Sequence, residues 1–142
     1  MANISWVENN SLRFTTKEEI GITVKGKKGS EHITITIDPS VLRNKFDSTK
    51  RMLIGYDNAL CRLYLVACDE DMSGSYSVAM PSSASGGFRP KVQITASRFK
   101  VLDIPYHSLQ GGYKLLFDEE EHLWYVDVSQ NVKFASRKLK VV

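Results

Sequence analysis

Apolar and polar residues alternate through most of this chain. In Ile33-Thr-Ile35-Thr-Ile37 the isoleucines fall on one side of an extended backbone and the threonines on the other, because successive side chains of a strand point to opposite faces. Ile20-Gly-Ile22-Thr-Val24 alternates in the same phase, and the intervening Lys25-Gly-Lys-Lys-Gly-Ser30 is glycine-rich and basic. The two runs predict a β-hairpin. Asp38-Pro39 then breaks the alternation. Aspartate suits a helix N-cap, proline suits the first helical position, and Val41, Leu42 and Phe46 follow at helical spacing, which predicts a short helix over about residues 39–46. So short a helix depends on packing rather than on propensity. Lys50 to Tyr56 and Leu60 to Ala67 predict a second hairpin about Asp57-Asn58, and the acidic break from Asp69 to Gly74 closes the first half.

The second half repeats this order. Ser75 to Met80 reads as a strand, Pro81 to Gly87 as a flexible loop, and Lys91 to Ala96 answers Ile33 to Ile37. Arg98 to Leu102 occupies the slot of the helix without an Asp-Pro start. After Gly111-Gly112, Tyr113 to Phe117 and Leu123 to Val128 form a hairpin joined by Asp118 to Glu121. With Ile37 set on Ile94 and Tyr56-Asp57 on Phe117-Asp118, Tyr64 falls on Tyr125, and the second copy has the longer connector. Such internal repetition governs the fold assignment. The expected architecture is mainly β with one or two short helices: a compact pseudo-twofold, β-barrel-like fold from two strand–(helix)–hairpin repeats. One domain is expected over residues 1–142, with unit one at 18–70, unit two at 74–128 and a basic C-terminal strand or tail at 129–142. Ile4 to Val7 and Leu12 to Phe14 suggest a small hairpin about Asn9-Asn10, and the tail from Val132 could close a sheet edge.

Composition narrows the class. Hydrophobic residues make up 42% and charged residues 25%, ordinary for a globular protein, and the formal net charge is +3, which permits contact with nucleic acid without demanding it. The start of the chain has no basic flank followed by an apolar segment, and no run approaches the roughly 20 apolar residues that span a bilayer; a cytoplasmic protein is expected, with no membrane partner. Cys61 and Cys68 lack the spacing of a zinc site and cannot frame a disulfide scaffold, so thiols in a reducing compartment are expected.

The run Lys27-Lys28, Ile35-Thr-Ile37-Asp-Pro39-Ser-Val-Leu42-Arg43-Asn-Lys45-Phe46, Arg51-Met-Leu-Ile, Asp57 and Arg62-Leu-Tyr-Leu65 resembles an AbrB-like swapped-hairpin DNA-binding module. Pro39, Leu42, Arg43, Lys45 and Phe46 fall in slots of its strand–helix motif. Asp38 is an insertion before the proline, and Asp47 to Lys50 lacks the glycine-aspartate turn. A unit of this size cannot bury enough apolar surface alone. Single-copy members are similar in interleaving hairpins from two chains; here the halves are tethered, which implies a monomeric pseudodimer, or a homodimer of it.

The resemblance implies basic contacts to double-stranded DNA near hairpin tips and strand–helix junctions. Matching or neighbouring positions are Lys25, Lys27, Lys28, Arg43, Lys45 and Arg51, with Arg89, Lys91, Arg98 and Lys100 in the second copy. Such side chains neutralise phosphates; as solvated hairpin surface and edge protection they need no ligand. The acidic segments at 69–71 and 118–121 would confine binding to the opposite face. Catalysis has little support. His32, His107 and His122 are scattered, no nucleophile elbow exists, and Gly86-Gly87 and Gly111-Gly112 lack the lysine and helix of a phosphate loop. No cofactor and no metal is expected, since the adjacent carboxylates of Asp118 to Glu121 diverge on a hairpin. The reading is thus a non-enzymatic, regulator-like DNA-binding protein. The rival is a protein-interaction module, or an accessory protein of phage-like type, recruiting a chain at a sheet edge or at the groove between units through aromatics such as Trp6, Phe88, Trp124 and Tyr125.

Overall fold

The computed structural model describes residues 18–69, 72–80 and 89–129; the expected N-terminal hairpin, the loop at 81–87 and the tail from Val132 lie outside the described residues. In chain order the elements are β1 (Ile20–Lys25), β2 (His32–Ile37), α1 (Pro39–Phe46), β3 (Arg51–Asp57), β4 (Arg62–Cys68), β5 (Tyr76–Ser77), β6 (Lys91–Thr95), α2 (Ala96–Val101), a 3-10 turn (Tyr106–Leu109), β7 (Gly111–Tyr113), β8 (Leu116–Asp118) and β9 (Leu123–Asp127). They form two antiparallel sheets. Sheet A has the order β6-β2-β1-β7 and sheet B the order β5-β3-β4-β9-β8.

The alternation acts as expected. Ile20, Ile22, Ile33, Ile35 and Ile37 are all buried, so sheet A turns its isoleucine face to the interior. At the β1–β2 tip the chain reverses through Gly26 and Gly29, both at positive φ. A Cβ on Gly26 would come within 2.8 Å of the Ser30 carbonyl oxygen, so only glycine fits there. Helix α1 starts where the sequence places it. The Asp38 carboxylate accepts from the Ser40 N–H at 3.0 Å, Pro39 occupies the first turn, and Val41, Leu42 and Phe46 are buried. Asp47, at φ 52°, ends the helix in the left-handed conformation with its N–H on the Leu42 carbonyl.

The second slot also holds a helix, starting earlier than Arg98. It runs Ala96–Val101 behind Thr95, which makes no side-chain cap bond; burial of Ala96 and Phe99 holds it instead. The strand expected over Ser75 to Met80 is reduced to β5 and an isolated bridge between Ala79 and Lys91. The run Tyr113 to Phe117 is broken, with β7 paired to β1 in sheet A and β8 paired to β9 in sheet B. These irregularities join the sheets at two corners and give the fold its barrel-like form. At one corner β5 pairs with β3 while Ala79 reaches β6; at the other β7 runs on towards β8.

The registers reproduce the sequence repeat. Hairpin β3–β4 closes with Asp57 opposite Arg62, and β8–β9 closes with Asp118 opposite Leu123, a shift of 61 positions at both residues. The Asp57 carboxylate accepts from the N–H groups of Ala59 and Leu60, and that of Asp118 from Glu120 and Glu121. Each turn ends on a left-handed residue, Cys61 at φ 57° and His122 at φ 59°. Where a twofold axis passes between antiparallel strands, equivalent residues must face each other. Ile35 does lie opposite Val92, and Tyr64 opposite Tyr125, as setting Ile37 on Ile94 and Tyr56 on Phe117 requires. The units interleave: β1 pairs with β7 and β5 with β3. One buried cluster draws on both, from Ile20, Leu42 and Met52 to Val92, Phe99 and Val126.

Candidate nucleic-acid interface

The period-two pattern that buries the isoleucines sets the opposite face of sheet A as well. Its outward positions form cross-strand rows: Lys25, His32 and Thr95; Thr23, Thr34 and Gln93; Gly21, Thr36 and Lys91. No carboxylate occupies an outward position on these strands. The β1–β2 tip extends the face with Lys27 and Lys28, both exposed.

The tip is anchored from below. The Ala96 N–H at the start of α2 donates to the Glu31 carbonyl at 3.0 Å. The Glu31 carboxylate accepts from the Tyr106 hydroxyl at 2.9 Å and lies 3.0 Å from His107 Nε2. Hydrogen bonds from His107 and Tyr106, chiefly the former, hold the Glu31 pKa below its ordinary value, with Lys100 adding to the effect. This carboxylate is engaged by the protein's own groups, while Lys100 remains on the exposed side of α2. Lys25, Lys27, Lys28 and Lys100 therefore share one end of sheet A. Glu18 reaches over the other end at Gly21. Burial raises its pKa against the pull of Arg89, and Arg89 lies 3.5 Å from it.

The expected basic residues thus separate into groups. Arg51 is held inside the fold: its guanidinium donates to the Ser75 hydroxyl at 2.6 Å, the Ser77 hydroxyl at 3.1 Å and the Ser75 carbonyl at 2.8 Å, tying β5 to β3. Arg89 pairs with Glu18 and Asp38 and donates to the Glu18 carbonyl. Lys45 lies with its ammonium 4.9 Å from the Trp124 ring centroid. Among the described residues no salt bridge engages Lys25, Lys27, Lys28, Arg43, Lys91, Arg98 or Lys100. Arg43 is exposed on α1 and Arg98 on α2. The helices leave the C-terminal ends of β2 and β6, which run antiparallel, so they start at opposite ends of sheet A. β2 leads away from the basic β1–β2 tip at His32, whereas β6 begins at Lys91 beside Thr36, at the opposite end of the sheet.

Acidic turns lie on the other sheet. Asp57 and the run Asp118 to Glu121 cap the hairpins of sheet B. Asp118 pairs with Arg62 at 2.9 Å and accepts from the Tyr64 hydroxyl at 2.9 Å. Its pKa is held below the usual carboxylate value, first by the Glu121 N–H and then by the Tyr64 hydroxyl. The Arg62 guanidinium sits 4.2 Å over the Tyr125 ring. Trp124 packs against the core while staying half-buried, and Tyr125 lies on the outer face of sheet B, buried beside Tyr64 and Arg62.

His32, Thr23, Thr34 and Gln93 were not singled out by charge. The phase of Ile33, Ile35, Val92 and Ile94 carried the signal, because it fixes their neighbours on the outer face. Among the described residues no group of His, Cys, Asp and Glu is placed to hold a metal ion, and no helix is long and apolar enough to cross a membrane. The class defined by this geometry is a mainly β, internally duplicated, barrel-like protein with a basic sheet face. No family model matches the chain, and no curated protein or solved structure is significantly similar to it.

Proposed function

We propose that the protein is a non-catalytic nucleic-acid-binding module that takes duplex DNA on the outer face of sheet A and the β1–β2 tip, in a regulator-like role. The observation that carries this reading is the separation of charge. Lys25, Lys27, Lys28 and Lys100 border the exposed Thr23, Thr95 and Gln93 and the half-buried His32. Glu18 is confined to the far end of the sheet beside Arg89, and Asp57 and Asp118 to Glu121 cap the opposite sheet. Lysines of this kind contact phosphates, and hydroxyl and amide side chains add hydrogen bonds to the backbone. The interleaving of β1 with β7 and β5 with β3 supports the AbrB-like reading, in which tethered halves do what two chains do elsewhere. Arg51, Arg89 and Lys45 drop out of the proposed site because the fold uses them.

Anisotropy of a labelled DNA duplex, titrated across salt concentrations, tests the reading. Affinity should fall linearly on a log–log salt plot, with a slope near −0.9 per phosphate engaged, roughly. Charge reversal at Lys27 and Lys28 should weaken binding and flatten the slope by about one unit per lost contact, with the thermal midpoint unchanged. Absence of binding at low salt, or affinity indifferent to these reversals, would remove the proposal. A protein partner is the second reading, and the groove between the units favours it.

A further inference from the structure

The pseudo-twofold supplies an internal comparison between two equivalent niches, each formed where the helix of one unit meets the second hairpin of the other. Where α2 meets β3–β4, Ile54, Gly55, Tyr56, Phe99, Leu102 and Ile104 enclose a cavity of about 60 Å³. Where α1 meets β8–β9, the hairpin register puts Leu116 in place of Gly55 and Trp124 in place of Leu63. The chain fills this twin with its own aromatic. Trp124 packs against the core, with Phe117 edge-on at 4.8 Å and the Lys45 ammonium over the ring. The first niche stays open for a volumetric reason: Leu63, which lines it at the position equivalent to Trp124, has a much smaller side chain than tryptophan.

The open niche leads into a wider groove of about 440 Å³ along α2, which shares Tyr76, Arg98 and Leu102 with it. At its mouth Val101 is 78% and Leu102 66% exposed. No carboxylate lines either cavity, and Arg98 lines both. We infer that this niche docks an aromatic side chain of an acidic partner peptide, the ring filling the space that the Trp124 indole takes up in the twin beyond the reach of a leucine, and a neighbouring carboxylate pairing with Arg98. The dimensions suit a side chain with its backbone outside. About 60 Å³ is below the roughly 150 Å³ that encloses a whole benzene, so the ring inserts part-way and the groove takes the flanking chain. A cation beside an aromatic ring is the arrangement already present at Lys45 and Trp124.

The test is amide chemical-shift mapping on the full-length protein with millimolar acetyl-Asp-Trp-Asp-amide, with acetyl-Asp-Ala-Asp-amide and a short oligothymidylate as comparisons. The tryptophan peptide should shift Gly55, Phe99 and Leu102 saturably, and the alanine peptide should not. Leu63→Trp, which copies the twin, should abolish the response, and Arg98→Gln should weaken it several-fold and remove its salt dependence. Leu102→Glu, at an exposed position, provides a second block should Leu63→Trp perturb the core. No saturable shift, an equal response to the alanine peptide, binding that survives both blocks, or occupation of the niche by the oligothymidylate instead would each overturn the inference.

Discussion

At the scale of single residues, aspartates do most of the positioning. Asp118 accepts from Glu120 N, Glu121 N and the Tyr64 hydroxyl and pairs with Arg62, all of which favour its charged form. With the folded pKa depressed, this contribution to stability is present above the unfolded value of about 3.9 and is lost as pH falls through the folded one. Glu31, also depressed, adds to the same acid-side loss. Urea midpoints measured down through pH 4, roughly, should therefore drop, and Asp118→Asn should drop less steeply; equal slopes for both proteins would contradict the assignment. The sequence shows Asp57 and Asp118 as turn formers, because their neighbours are polar and the flanking runs alternate. It could not show that Asp118 meets Arg62 and Tyr64. Those partners are 56 and 54 positions away, and only the pairing of β4 with β9 brings them together.

At the scale of elements, the two units differ most where local signals differ. Helix α1 has its cap and proline written in Asp38-Pro39 and follows them; Asp38→Ala should cost about 1 kcal/mol in chemical denaturation. Helix α2 has no such punctuation and is fixed by Ala96 and Phe99 in the core, which is why its start was not legible. The split of β7 from β8 was hidden for a similar reason: the apolar run through Tyr113 to Phe117 reads as one strand, and its break comes from serving two sheets. The hairpin turns, by contrast, are equivalent down to their carboxylate bonds and left-handed residues. Replacing residues 58–61 with the sequence of 119–122 should change stability by no more than about 0.5 kcal/mol; collapse of the fold would mean that the turns are not interchangeable.

At the scale of the whole molecule, one buried cluster drawn from both units predicts that neither half is self-sufficient. A chain divided after Asp69 should give two fragments without a cooperative unfolding transition alone, and a transition should return when they are mixed; a fragment that melts cooperatively by itself would show a private core. The repeat was legible because equivalent residues keep their spacing through both hairpins. The face it displays was less so, since charge alone could not separate the exposed lysines from Arg51 and Arg89, whose partners Ser75 and Glu18 come together only in the fold. Sheet A is the proposed nucleic-acid face. The most direct test is amide shift mapping of the intact protein with a short DNA duplex at low salt. Shifts should concentrate at Thr23, Lys25, Lys27, Lys28, Gln93 and Thr95, leaving the turns at Asp57 and Asp118 unmoved. Shifts centred on those turns of sheet B, or none on sheet A, would contradict it.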